Sequence, residues 1–172
     1  MPLFILSPLG AVHLAAALLA MFAGGFVVLD RKGTRRHRQM GYVYAAAMLV
    51  VIGTALSIYR LFGTFGPFHG LALVATASLV AGMVPVMRRN RRPGWLQTHY
   101  DRMTWSVIGL YAAFWAETLV RFFPMRQFWP VVVGATVLTM AVGGYFTVRY
   151  RSRLLARFAE KPASLPNDTT IA

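Results

Sequence analysis

Long apolar runs, broken only by short basic blocks, constrain this chain more than any other feature. The runs cover residues 8–29, 40–62, 68–87, 103–123 and 128–148. Each is about 20 residues long, enough at about 1.5 Å per residue to cross roughly 30 Å of hydrocarbon. They are apolar around the whole circumference, whereas a helix in a soluble domain keeps one polar face. A backbone immersed in lipid must satisfy its own hydrogen bonds, so such runs become helices. The pattern predicts an all-α, polytopic membrane bundle of five transmembrane helices. A histidine-bearing four-helix core occupies 8–123 and a fifth packing helix 128–148. Residues 149–172 form a tail that starts basic, continuing the fifth helix, and becomes disordered. The first run lacks a positive flank ahead of it and reads as a retained helix rather than a signal peptide.

The net charge of +13 superficially suggests nucleic acid, but the basic residues flank the apolar runs. Five Lys or Arg follow the first run, five follow the third and five lie in the tail, against Arg60, Arg121 and Arg126 elsewhere. Cytoplasmic loops collect Lys and Arg in this way, which predicts an N-terminus outside and a C-terminus in the cytoplasm. The expected partner is a bilayer with anionic headgroups rather than nucleic acid. The chain has no cysteine, which excludes disulfides, thiolate catalysis and thiolate metal sites.

Histidines 13, 37, 69 and 99 fall one near the start of each of the first four runs. Alternating helix direction sorts them into two pairs: His13 with His69 near the outer face, His37 with His99 near the inner. A weak internal repeat supports this, since each half reads histidine, apolar run, small residues, basic block, histidine. Neutral imidazole is a good axial ligand for haem iron, and opposed imidazoles suit electron transfer. Arg60 and Arg121 are candidate partners for outer propionates, and the arginine blocks serve the inner ones. The two centres would lie roughly 20–25 Å apart along the helix axis. Tyr42, Tyr44, Trp105, Tyr111 and Trp115 would line the space between them.

Glu117 is the only acidic residue inside an apolar run, and intramembrane carboxylates are candidates for function by default. It could exchange protons at a haem edge, pair with Arg121 one helical turn away, or join His13 and His69 around a non-haem metal ion. The methionines, among them Met48, Met83 and Met103, read as gap fillers. Gly24-Gly25 and Gly143-Gly144 read as points of close helix approach.

His13, Lys32-Gly33, His37-Arg38-x-x-Gly41, Met48, Phe68-His69, His99 with Met103, and Ala116-Glu117 together resemble a bacterial membrane family, domain of unknown function 2306. The resemblance runs from about residue 8 to 123. It implies a cytoplasmic-membrane location and assigns no activity. The four-histidine layout is also similar to the cytochrome b561 class, in which alternate helices pair around two haems. That similarity implies haem b, one or two per chain, with His13, His69, His37 and His99 as iron ligands and Glu117 handling protons. A quinol or other small reductant would supply the electrons. The histidines here stand closer to the helix ends, and the first interval is shorter, than in that class. Two other functions fit the same residues: a metal-binding membrane protein or hydrolase using His13, His69 and Glu117, and a non-enzymatic scaffold or accessory subunit.

Overall fold

The structure, a computed structural model, describes residues 7–59, 63–88 and 93–159, with 153–155 and 157–159 as backbone only. Five long helices and one 3-10 turn make up the fold, with no strand among the described residues. They are α1 (Pro8–Leu29), α2 (Arg35–Ser57), α3 (Pro67–Met87), α4 (Trp95–Leu119) and α5 (Phe128–Ala159), with the turn at Met125–Gln127 leading into α5.

Local sequence explains the starts. Ser7 caps α1 by accepting from the Gly10 N–H at 3.1 Å, and Pro8 supplies a backbone preset for the first turn. Thr34 caps α2 in the same way for the His37 N–H, so α2 begins at Arg35 rather than near residue 40. Gly94, at φ +78°, turns the chain into α4 eight residues before the apolar run. The hydropathic boundary and the helical boundary differ because these first turns are polar: Arg-Arg-His-Arg-Gln in α2 and Gln-Thr-His-Tyr-Asp-Arg in α4. In consequence His37 and His99 sit inside helices. At the other end of the chain, α5 carries on unbroken past residue 148, so the described part of the basic tail extends it.

Among the described residues, four helical segments are long and apolar enough to cross a membrane: α1, α2, α3 and the Met125–Ser152 stretch containing most of α5. Helix α4 is long enough, but it carries His99, Asp101, Arg102, Thr104, Ser106 and Glu117. Its position explains why this is tolerated. It packs against α1, α3 and α5 and buries eight of its residues. The other helices show large apolar side chains outward, among them Phe22, Leu49, Val74 and Leu138. So extensive an apolar surface suits hydrocarbon and not water.

Helices α1 and α2 form one close hairpin and α3 and α4 another; α2 meets α3 and α1 meets α4 more loosely. The diagonal pairs α1–α3 and α2–α4 make no direct backbone approach among the described residues. The centre between the hairpins is filled by side chains. Tyr44 and Met48 are completely buried, and the Tyr44 hydroxyl reaches Ser106 Oγ of α4 at 2.8 Å. On α1 the facing surface is stripped to Ala16, Ala17, Ala20, Ala23 and Gly24. A Cβ on Gly24 would stand 2.9 Å from the Tyr44 ring and 3.0 Å from a Val107 methyl. Since the tyrosine is enclosed, Gly24→Ala is expected to cost about 1–3 kcal/mol. A thermal melt in detergent checks this, with Gly41→Ala, where a Cβ meets nothing within 4 Å, as the comparison.

Candidate functional site

The chemistry-bearing side chains gather at the two ends of the bundle, one of which is strongly basic. At the opposite end, His13 near the start of α1 meets Thr54 near the end of α2 and Glu117 near the end of α4. His13 Nδ1 lies 2.8 Å from Thr54 Oγ1. The threonine hydrogen is directed to the Val50 carbonyl at 2.6 Å, with Val51 O at 3.0 Å, so the hydroxyl oxygen accepts from His13 Nδ1–H. That fixes the ring: Nε2 is the exchangeable nitrogen, and it faces Glu117 Oε2 at 4.0 Å. One proton residing on either partner completes a neutral pair or an ion pair. Arg121 does not form the side-chain pair with Glu117 that its spacing suggested. Its Nε donates instead to the Glu117 main-chain carbonyl at 3.2 Å. Arg60 lies outside the described residues.

His69, at the same end on α3, is held differently. Its Nδ1 accepts from the Gly66 N–H at 3.1 Å, closing the first turn of its own helix. A neutral ring bonded this way carries its proton on Nε2, and that atom is buried without a partner. The Tyr59 and Phe65 rings flank the imidazole at centroid distances of 4.6 and 5.0 Å. Among the described residues no three His, Asp or Glu side chains converge as a metal-ion donor set. The structure brings His13 and Glu117 face to face, while His69 is turned back onto Gly66.

At the basic end, His99 of α4 donates from Nδ1 to the Gly82 carbonyl of α3 at 2.8 Å, leaving its Nε2 lone pair uncommitted. His37 of α2 is close enough to feel the charge of His99, Lys32 and Asp30, and its ring lies against the Val27 carbonyl. His37 Nδ1 is buried with no partner. Lys32 closes the C-terminus of α1, donating to the Val27 and Val28 carbonyls, where the helix dipole favours a cation. Burial pushes its amine below the usual lysine range, with Asp30 opposing. Met103 fills the space over Gly82 and belongs to the hydrophobic core, as does Met48.

Of the aromatic residues expected between the ends, Tyr44 is central and Tyr111 donates to the Met21 carbonyl at 3.0 Å. Tyr42, Trp105 and Trp115 are exposed on the outside instead. Thr54 and Ser106 are the residues that sequence reasoning passed over. Each is a hydroxyl inside an apolar run, the one signal that marked them.

Fold and site together define a helical membrane protein with histidines gathered at both ends of one bundle. The chain belongs to the family described as predicted membrane protein (DUF2306), whose model matches residues 10–148. No curated protein and no solved structure matches significantly.

Proposed function

We propose that the protein is a b-type membrane cytochrome that passes electrons, one at a time, from a quinol or similar small reductant to an acceptor across the membrane, with its electron-carrying and proton-handling residues at opposite ends. One observation carries this. Three buried side-chain polar atoms lack a partner among the described residues, and two are imidazole nitrogens, one at each end of the bundle: His37 Nδ1 and His69 Nε2. Buried polar atoms are ordinarily satisfied, which makes these two nitrogens the candidates for holding a bound group.

The two ends favour different chemistry. His37 and His99 suit iron: His99 spends Nδ1–H on a carbonyl, which orients the ring and leaves Nε2 for ligation. His37 would offer its buried, unpartnered Nδ1, and the neighbouring basic blocks would suit propionates. A haem held there supplies one-electron chemistry. The opposite end suits protons. His13, oriented by Thr54, and Glu117 hold one exchangeable proton between them, and His69 Nε2–H is a donor with no acceptor of its own. A quinol hydroxyl losing a proton with each electron needs a base and a donor of this kind. Iron ligation by His13 and His69 is less well supported, since one nitrogen faces a carboxylate and the other carries the ring proton.

The excess of Lys and Arg supports placing the basic end, and so the C-terminus, in the cytoplasm of a bacterial cell. A reduced-minus-oxidised visible spectrum of protein purified from haem-replete cells tests the proposal. Bound porphyrin with sharp reduced bands is expected; a featureless trace rejects it.

A further inference from the structure

Where α3, α4 and α5 meet at the basic end, a cleft of about 630 Å³ opens on the side of the bundle. Its floor is braced by a two-pronged ion pair: Arg151 Nε and Nη2 donate to Asp101 Oδ1 and Oδ2, each at 2.8 Å. This fixes the guanidinium plane and leaves its remaining N–H groups unspent. Arg102 also lines the cleft, is exposed, and has no ion-pair partner among the described residues. The Ser78 hydroxyl adds a polar group from α3. Apolar groups one turn from the charged ones line the same cleft. Trp105 lies across Gly144, where a Cβ would come within 3.2 Å of the indole, and Val148 continues the wall outward.

The charges decide what such a cleft can hold. Asp101 and one arginine cancel, which leaves one uncompensated cation beside a pre-oriented guanidinium. That matches a phosphodiester, which carries a single negative charge. The apolar wall of Trp105 and Val148, on the outer surface of helices that otherwise face lipid, matches an acyl chain. The geometry points to a binding site for one anionic glycerophospholipid, its phosphate between Arg102 and Arg151 and its tail along Trp105. Basic clefts between membrane helices recognise headgroups by this combination of cation and adjoining apolar surface. The site is separate from the histidine pairs and stands whether or not the electron-transfer proposal holds.

Native mass spectrometry of the full chain, released from a neutral detergent, tests it with dioleoyl phosphatidylglycerol, dioleoyl phosphatidylcholine and inorganic phosphate as probes. Preferential retention of phosphatidylglycerol is expected, undiminished by inorganic phosphate at equal concentration. Arg102→Gln should weaken retention about fivefold, as expected for one arginine near a headgroup. Arg102→Lys should keep most of it, and Arg121→Gln, at the other end, should leave it unchanged. Arg102 is exposed, so these variants leave folding intact. Equal retention of the two lipids, no effect of Arg102→Gln, or an equal effect of Arg121→Gln would overturn the site. Displacement by inorganic phosphate would do so too, since it would mean the acyl chain contributes nothing.

Discussion

Replacing His99 with alanine is expected to strip the visible porphyrin spectrum from the purified protein, lowering porphyrin per chain by more than tenfold. The size follows from what the ring contributes. Losing merely an orienting partner of a metal ligand costs about 10- to 100-fold in affinity, and here the proposed ligand itself would go. His37→Ala should act alike, because its Nδ1 is buried without a partner and is the second proposed ligand. His69→Ala should keep the spectrum, since that ring is tied to Gly66 at the other end. Far-UV circular dichroism on the same samples separates loss of the group from loss of the fold. Variants at 37 or 99 that stay folded and keep full colour would remove both histidines from the proposed site.

The second large effect belongs to Glu117. Glu117→Gln keeps the shape and removes the base, so quinol oxidation in proteoliposomes should slow by about 10²- to 10⁴-fold, the usual contribution of a positioned proton acceptor. Bound porphyrin should be unaffected, because Glu117 is at the far end from His37 and His99. Thr54 touches no substrate in this scheme; it positions His13 through the 2.8 Å contact. Thr54→Val should therefore slow turnover by up to about 10²-fold through misorientation, and Thr54→Ser should restore it. A Glu117→Gln protein that oxidises quinol at the unaltered rate would take the proton role from the His13–Glu117 pair.

Much of the fold was legible because lipid imposes a coarse rule. Apolar runs of about 20 residues located all five helices, and the basic blocks located the ends. The starts of α2 and α4 were not legible from hydropathy, since their first turns face polar surroundings and only Thr34 and Gly94 mark where they begin. Helix α4 shows the limit of that rule: its run of about 20 residues gives a helix packed against three neighbours, but one not apolar enough to qualify as a span.

The candidate site was legible by residue type and by end, and not by contact. Sequence alone picked out Glu117 and the four histidines. It could not say that His13 would turn to Thr54, that His69 would fold back on Gly66, or that Arg121 would bond a carbonyl rather than the Glu117 carboxylate. Those choices depend on side-chain direction within one helical turn. A hydroxyl such as Thr54 also looks ordinary in a sequence, because a threonine in an apolar helix can satisfy itself on the preceding turn, as this one does.

The enclosed pair of Tyr44 and Met48 has a consequence for transport. Side chains with no solvent access, wedged between two helical hairpins, act as a dry partition across the middle of the bundle. Under the proposed function, a proton released near Glu117 would leave on that side of the partition. An electron needs no hydrogen-bonded wire. If the proposed function holds, a bundle closed at its waist by Tyr44 and Met48 would pass the electron and hold back the proton.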